Sequence, residues 1–184
     1  MDTNPASAYL VRHLDTVLSA AGLGPVLDLA CGKGANGLLL AQKGAKVLFW
    51  DRDSQNLDLI ASTAAHRGLE VLTRQVDLET GQKNILPAHF FAAVLVFRYL
   101  HRPLIPEIKR AVLPGGVVIY ETFTLRQAEI GKPSNPHFLL RDNELPELFN
   151  DWEIIDSYQG RMDNPLRYMA GILARKQDPR AGRA

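Results

Sequence analysis

Residues Gly32-Lys33-Gly34-Ala35-Asn36-Gly37 form a G-x-G-x-x-G run between a short apolar segment and a helix-forming stretch. In that setting glycines let a ligand approach the backbone closely, and a mononucleotide-like group is the expected occupant. The run does not choose between ligands. Neither does Asp51, about twenty residues beyond Gly32 and placed to accept hydrogen bonds from ribose hydroxyls. Asp28 does choose, because it stands in Val26-Leu27-Asp28-Leu29-Ala30-Cys31-Gly32, at the carboxyl end of the first apolar run. Facing the ligand, its carboxylate would repel a pyrophosphate and attract an ammonium or sulfonium, each by kcal/mol at roughly 4–6 Å in a partly dry crevice. The competing reading of Asp28 is a carboxylate that caps the amides of the following loop or helix. Asp77, in Val76-Asp77-Leu78-Glu79, is a third acid after a third apolar run. It could accept from an adenine amino group, with Leu78 flanking the ring. One acid at a strand end is ordinary turn chemistry; three beside a glycine loop are much less expected by chance.

The elements around these residues must bring them together. Residues 8–21 carry Leu10, Val11, Leu14, Val17 and Leu18 at helical spacing and stop at Gly22 and Gly24-Pro25. Residues 26–29, 46–50, 71–76, 92–97 and 115–122 read as strands, with helices over 38–43, 57–66 and 104–112. Alternating elements whose strands are apolar on both faces predict an α/β fold with a parallel sheet covered on two sides. In such a sheet ligands bind outside the carboxyl ends of the strands where the strand order reverses, which is where Asp28, Asp51 and Asp77 converge. Residues 125–140 break the rhythm with Gly131, Pro133, Asn135 and Pro136. They are expected to be a lid or substrate loop, with a surface insertion as the alternative. A helix over 142–149 and two strands over 152–158 and 168–174, joined through 160–165, close the chain as an antiparallel hairpin. One domain over residues 1–176 and a frayed tail over 177–184 are expected.

Composition sets further bounds. The 184 residues are 46% hydrophobic and 22% charged, and 21 Lys+Arg against 20 Asp+Glu leave a net charge of +1. No global field then draws the protein to nucleic acid or an anionic membrane. Cys31 is the single cysteine, which excludes an internal disulfide and suits a reducing compartment. No run of about 18 apolar residues spans a bilayer, and the start MDTNPASAYL lacks a secretory pattern, so cytoplasm is expected. The histidines His13, His66, His89, His101 and His137 have no ligand spacing, and no metal is expected.

The stretch VLDLACGKGANGLLLA, followed by VLFWDRD, VDLE and VLVFRYLH, resembles in order and spacing the nucleotide-binding motifs of class I S-adenosylmethionine-dependent methyltransferases. The resemblance covers residues 26–121. Within the class, the short chain and the DLACGKG and DRD wording are most similar to small bacterial TehB-like, tellurite-resistance-type methyltransferases. It implies a doubly wound, Rossmann-like, seven-stranded sheet with an antiparallel last strand. S-adenosylmethionine would be the methyl donor and S-adenosylhomocysteine the product. That donor carries both an ammonium and a sulfonium and no phosphate, in keeping with Asp28. By the family pattern Asp28, Ala30, Gly32 and Gly34 border the methionine end, Asp51 and Arg52 the ribose and adenine edge, Asp77 and Leu78 the adenine, and Phe97 the floor.

The same pattern places Phe97-Arg98-Tyr99-Leu100-His101-Arg102 beside the transferring methyl group. Methyl transfer is an in-line displacement, so the protein has to hold a deprotonated nucleophile about 3 Å from the methyl carbon. His101 is the candidate base, Tyr99 can orient the acceptor, and Arg98 or Arg102 can bind an acidic one. Glu121 and His137 are second-rank candidates. The Asn-Pro-Pro-Tyr element used to grip a planar amino group is absent after residue 97, which disfavours adenine N6 or glutamine amide as acceptor. Cys31 lacks the partner motif of a cysteine-based mechanism. A small-molecule acceptor is expected, acted on by a monomer or homodimer. The alternatives are an RNA methyltransferase using Arg161, Arg167, Arg175, Lys176, Arg180 and Arg183, a non-catalytic cofactor-binding subunit, and an NAD-dependent reductase.

Overall fold

The apolar runs pair as β1 (Val26–Leu29), β2 (Val47–Asp51), β3 (Val71–Gln75), β4 (Phe91–Phe97), β5 (Val112–Phe123), β6 (Glu153–Met162) and β7 (Arg167–Arg175). These are seen in a computed structural model that describes residues 5–179. They form one seven-stranded sheet of order β3-β2-β1-β4-β5-β7-β6. The first five strands run parallel, and β7 is antiparallel to both β5 and β6, as expected of a doubly wound sheet with a reversed last strand. Between β1, with β2 on one side, and β4 on the other, the chain reverses its direction of winding. This is the switch point at which a crevice opens.

Side chains of successive strand residues point to opposite faces, and the two faces have separate cores. One joins Val26, Val47, Phe49, Leu95 and Ile119 to α1 (Ala8–Arg12), α2 (Leu14–Ala21), α3 (Ala35–Gln42) and α4 (Ser54–His66). The other joins Leu27, Leu29, Val94, Val96 and Tyr120 to α5 (Ile105–Ala111) and α6 (Glu144–Leu148). Between β3 and β4 no helix forms; Leu78, Ile85 and Leu86 of that connection pack onto the second face instead. The alternation matters for the site. Asp28 shares parity with Val26, and Asp51 with Val47 and Phe49, so both acids turn toward the face that carries α3.

Three expectations are refined. The helix expected over 8–21 is broken at His13, which closes α1 and opens α2 and whose Nε2 lies 2.9 Å from Asp156 Oδ2 of β6. The fifth strand begins at Val112 rather than 115, because a register shift between Phe91 and Ala93 takes up Pro114-Gly115-Gly116 as an irregularity within it. Residues 125–140 are tethered. Gln127 is buried, its Oε1 accepting from Tyr168 N at 2.9 Å and its Nε2 donating to Lys132 O at 3.0 Å. Leu139 and Leu140 are fully enclosed. Residues 177–179 follow β7 without regular structure, and the rest of the expected tail lies outside the described residues. No helix among the described residues is long and apolar enough to cross a membrane.

Candidate active site

The glycine run leaves β1 through Ala30 at φ 52° and Gly32 at φ 52°, and enters α3 through Gly34 at φ 73°. A Cβ on Gly34 would stand 2.6 Å from Ile60 Cγ1. On Gly37 it would stand 2.4 Å from Phe49 Cε1 and 2.8 Å from Asp28 Oδ2. The third glycine therefore serves packing of α3 onto the sheet. That approach lets Gly37 N–H donate to Asp28 Oδ2 at 2.8 Å. Asp51 holds the other end of the loop: its Oδ2 accepts from Gly32 N–H at 2.7 Å and its Oδ1 from Asp53 N–H at 2.9 Å. Two of the three acids read from the sequence thus pin the backbone that would cradle a ligand.

Two cavities flank this loop. One, of about 230 Å³, is lined by Asp51, Arg52, Val76, Asp77, Leu78, Glu79 and Tyr99 together with Ala30 and Arg98. The other, of about 370 Å³, is lined by Asp28, residues 31–36, Phe97, Pro5 and Ser7, again with Ala30 and Arg98. Ala30 and Arg98 are common to both, so the cavities meet across the end of β1. All nine cofactor-site residues expected from the sequence line one or the other. The sequence read Asp28 as a charge facing the ligand, with amide capping as the alternative, and the structure encloses it. The side chain is 1% exposed, and its pKa is pushed up to about 7 by burial and by the Asp51 charge, against the opposing pull of the Gly37 amide. Asp28 therefore caps an amide of α3, one of the two readings set against each other in the sequence, and at the same time lines the larger cavity.

The residues beyond β4 divide. Arg98, at φ 56°, has its N–H bonded to Glu121 O at 2.8 Å, and its guanidinium makes no hydrogen bond or ion pair among the described residues. The Tyr99 hydroxyl is buried beside Glu79, and burial followed by the Glu79 charge raises its pKa. His101 lines neither cavity. Arg102 is not available to an acceptor: it donates to both carboxylate oxygens of Glu144, at 2.6 and 2.9 Å, and to the carbonyls of His137 and Leu139 at 2.9 and 2.8 Å. Glu144 is buried, which alone would raise its pKa, yet Arg102 and Arg141 hold it down at about 2. His137 is exposed, and none of residues 125–140 lines either cavity.

Several wall residues had not been singled out. Glu79 lay within the quoted Val76–Glu79 run and followed directly from it. Lys33, Ala35 and Asn36 sat inside the glycine run as its variable positions. Pro5 and Ser7 carried no signal, being far in sequence from every motif they adjoin. No group of three His, Cys, Asp or Glu able to hold a metal occurs among the described residues.

The chain is 29% identical over 152 residues to the probable S-adenosyl-L-methionine-dependent methyltransferase TehB of Haemophilus influenzae, an alignment spanning 78% of this chain and 52% of that protein. It therefore spans about half the length of the relatives it matches. The crystal structure of TehB from Haemophilus influenzae superposes with a TM-score of 0.69 and 25% identity over 90% of this chain and 62% of that one. The fold is shared equally with the [4+2]-cyclase SpnF, at a TM-score of 0.67 and 19% identity over 96% and 84% of the two chains. The family described as tellurite resistance protein TehB matches residues 10–166, most of the chain, and the chain belongs to that family.

Proposed function

We propose that the chain is an S-adenosylmethionine-dependent methyltransferase acting on a small molecule, with S-adenosylhomocysteine as product. The fold cannot carry this reading, since a cyclase shares it. What carries it is the pair of cavities meeting at Ala30 and Arg98, the smaller walled by Asp51, Asp77 and Glu79 and the larger by Asp28 and the glycine loop. Acids on both sides of the cradle disfavour a dinucleotide pyrophosphate and favour a nucleoside bearing cationic groups. The bound donor supplies a methyl group on a positively charged sulfur. In the reading proposed, Asp51 and Asp77 take the hydroxyl and amino groups of the nucleoside end, and Leu78 and Val76 give the base an apolar face. Asp28 answers the positive charge of the other end. Lys33 and Arg98, exposed and without ion-pair partners among the described residues, are at hand for its carboxylate. Arg98, where the cavities meet, and Tyr99, on the wall of the smaller one, are the residues assigned to orienting the acceptor. His101, which lines neither cavity, is assigned no proton transfer.

A small acceptor is favoured over RNA by the state of the C-terminal cations. Arg161 pairs with Asp163 at 2.9 Å, Arg175 with Glu153 at 3.8 Å, and Lys176 donates to the carbonyls of Lys109 and Val112. Those three side chains are engaged locally, and Arg167, whose Nε is buried without a hydrogen-bond partner, does not extend them into a phosphate-binding stripe. Arg180 and Arg183 lie outside the described residues. The reading goes with a cytoplasmic monomer or homodimer. It is tested by calorimetric titration with S-adenosylhomocysteine beside NADH, followed by incubation with methyl-labelled donor and, separately, sodium tellurite, a small-metabolite extract and an RNA fraction. Binding of NADH in preference to S-adenosylhomocysteine would end it. Donor binding without label transfer to any fraction would favour the non-catalytic subunit.

A further inference from the structure

Glu121 lies near the carboxyl end of β5, 4% exposed and with no ion-pair partner among the described residues. A carboxylate buried without a cation must be held by hydrogen bonds. Oε2 accepts the Ser7 hydroxyl at 2.6 Å, and Oε1 accepts the Tyr158 hydroxyl at 2.6 Å. Ser7 is tied in two further ways. Its N–H donates to Oδ1 of Asn36, inside the glycine run, at 2.8 Å, and its Oγ accepts from Tyr9 N–H at 3.1 Å at the start of α1. A chain of hydrogen bonds thus runs from the glycine loop through Ser7 and Glu121 to β6, and Ser7 with Pro5 forms a wall of the larger cavity.

This wiring decides what the wall can offer. With its proton committed to Glu121, the Ser7 oxygen can only accept a further hydrogen bond. Asp28, on the same cavity, is also an acceptor once ionised. A ligand group matched to both is a donor, and the Asp28 carboxylate favours one carrying positive charge. We infer that Glu121 is a positioning residue that fixes Ser7 as an acceptor-only wall for the α-ammonium of the methyl donor's amino-acid end. The inference rests on the donor reading proposed above, and extends it to a segment that shares no motif with the glycine loop.

The test compares two ligands with the same nucleoside and sulfur. S-adenosylhomocysteine carries the amino-acid end; 5′-methylthioadenosine does not. Each is titrated calorimetrically into the full chain, Ser7→Ala, Ser7→Thr and Glu121→Gln, with a melting curve for each variant. Ser7→Ala and Glu121→Gln are expected to bind S-adenosylhomocysteine about tenfold more weakly, the loss typical of one charge-assisted hydrogen bond, with 5′-methylthioadenosine unchanged. Ser7→Thr, which keeps the hydroxyl, restores the affinity. If Glu121→Gln does not fold, the two Ser7 variants decide the matter. Equal loss of both ligands, or no loss of either, overturns the inference while leaving the donor reading standing. A wild-type chain that binds neither ligand overturns both.

Discussion

Asp28 Oδ2 accepts the Gly37 N–H at 2.8 Å, so one carboxylate fastens α3 to β1 and forms part of a cavity wall. Burial lifts its pKa to about 7, and the free protein therefore carries a proton there at pH 6 and has largely lost it at pH 8. A cationic ligand favours the carboxylate, so binding expels the proton. Affinity for S-adenosylmethionine is expected to rise from pH 6 to pH 8, by up to about tenfold per unit below the pKa, and then to level off. Titration calorimetry in two buffers of different ionisation heat counts the proton released. A flat profile with no proton release would remove Asp28 from the ligand's charge balance.

Asp28→Asn separates stability from binding. A folded-state pKa raised above the 3.8 of the unfolded chain contributes stability that is present at low pH and lost as pH rises through about 7. Asparagine keeps an acceptor for Gly37 N–H and removes that loss. The variant is expected to melt several degrees above wild type at pH 8, with the difference narrowing toward pH 5. It should bind S-adenosylhomocysteine at least about tenfold more weakly. A variant less stable than wild type at pH 8 would contradict the assignment of the buried charge.

Gly37→Ala reverses a usual gain. Alanine in a helix interior normally adds up to about 1 kcal/mol over glycine. Here its Cβ would come within 2.4 Å of Phe49 and 2.8 Å of Asp28, and overpacking of this kind costs about 1–3 kcal/mol. Urea unfolding is expected to show a net loss. Gly32→Ala has nothing within 4 Å of its added Cβ and bears only the left-handed backbone penalty, about 1 kcal/mol, while placing a methyl group on the cavity wall and weakening ligand binding.

Arg102→Ala is expected to cost about 3 kcal/mol, because it takes the main cation from a carboxylate whose side chain is 1% exposed and leaves it only the N–H and guanidinium of Arg141. Glu144, held at about 2 against an unperturbed 4.5, contributes stability above pH 4.5 that is lost as pH falls toward 2. Melting curves for wild type should show that loss, and those for Arg102→Ala should show much less of it.

His101→Ala should leave the melting temperature, the affinity for S-adenosylhomocysteine and turnover on any acceptor close to wild type, since the ring lines neither cavity. A fall in turnover of about a hundredfold with unchanged binding would restore it as the general base.

Much of the scaffold was legible because its signals are local. Apolar runs of four to eight residues, glycine punctuation and strand-end acids recur at the spacing of a βα unit, and the parity of a strand sends Asp28 and Asp51 to the same face. Ends of elements were less legible where tertiary contacts move them, as His13 shows by breaking one periodic stretch into two helices while its ring meets Asp156.

Local pattern alone was enough to fix the sheet, its succession of elements and the gathering of Asp28, Asp51 and Asp77 at its rim, because periodicity and chain direction leave a doubly wound sheet few alternatives. Only the tertiary structure decided which charges are free. Arg102 meets Glu144 across 42 residues and Ser7 meets Glu121 across 114, separations at which no spacing rule operates. The proton on Asp28 is set by the water that α3 and β2 exclude, a property of the packed crevice and not of any residue type.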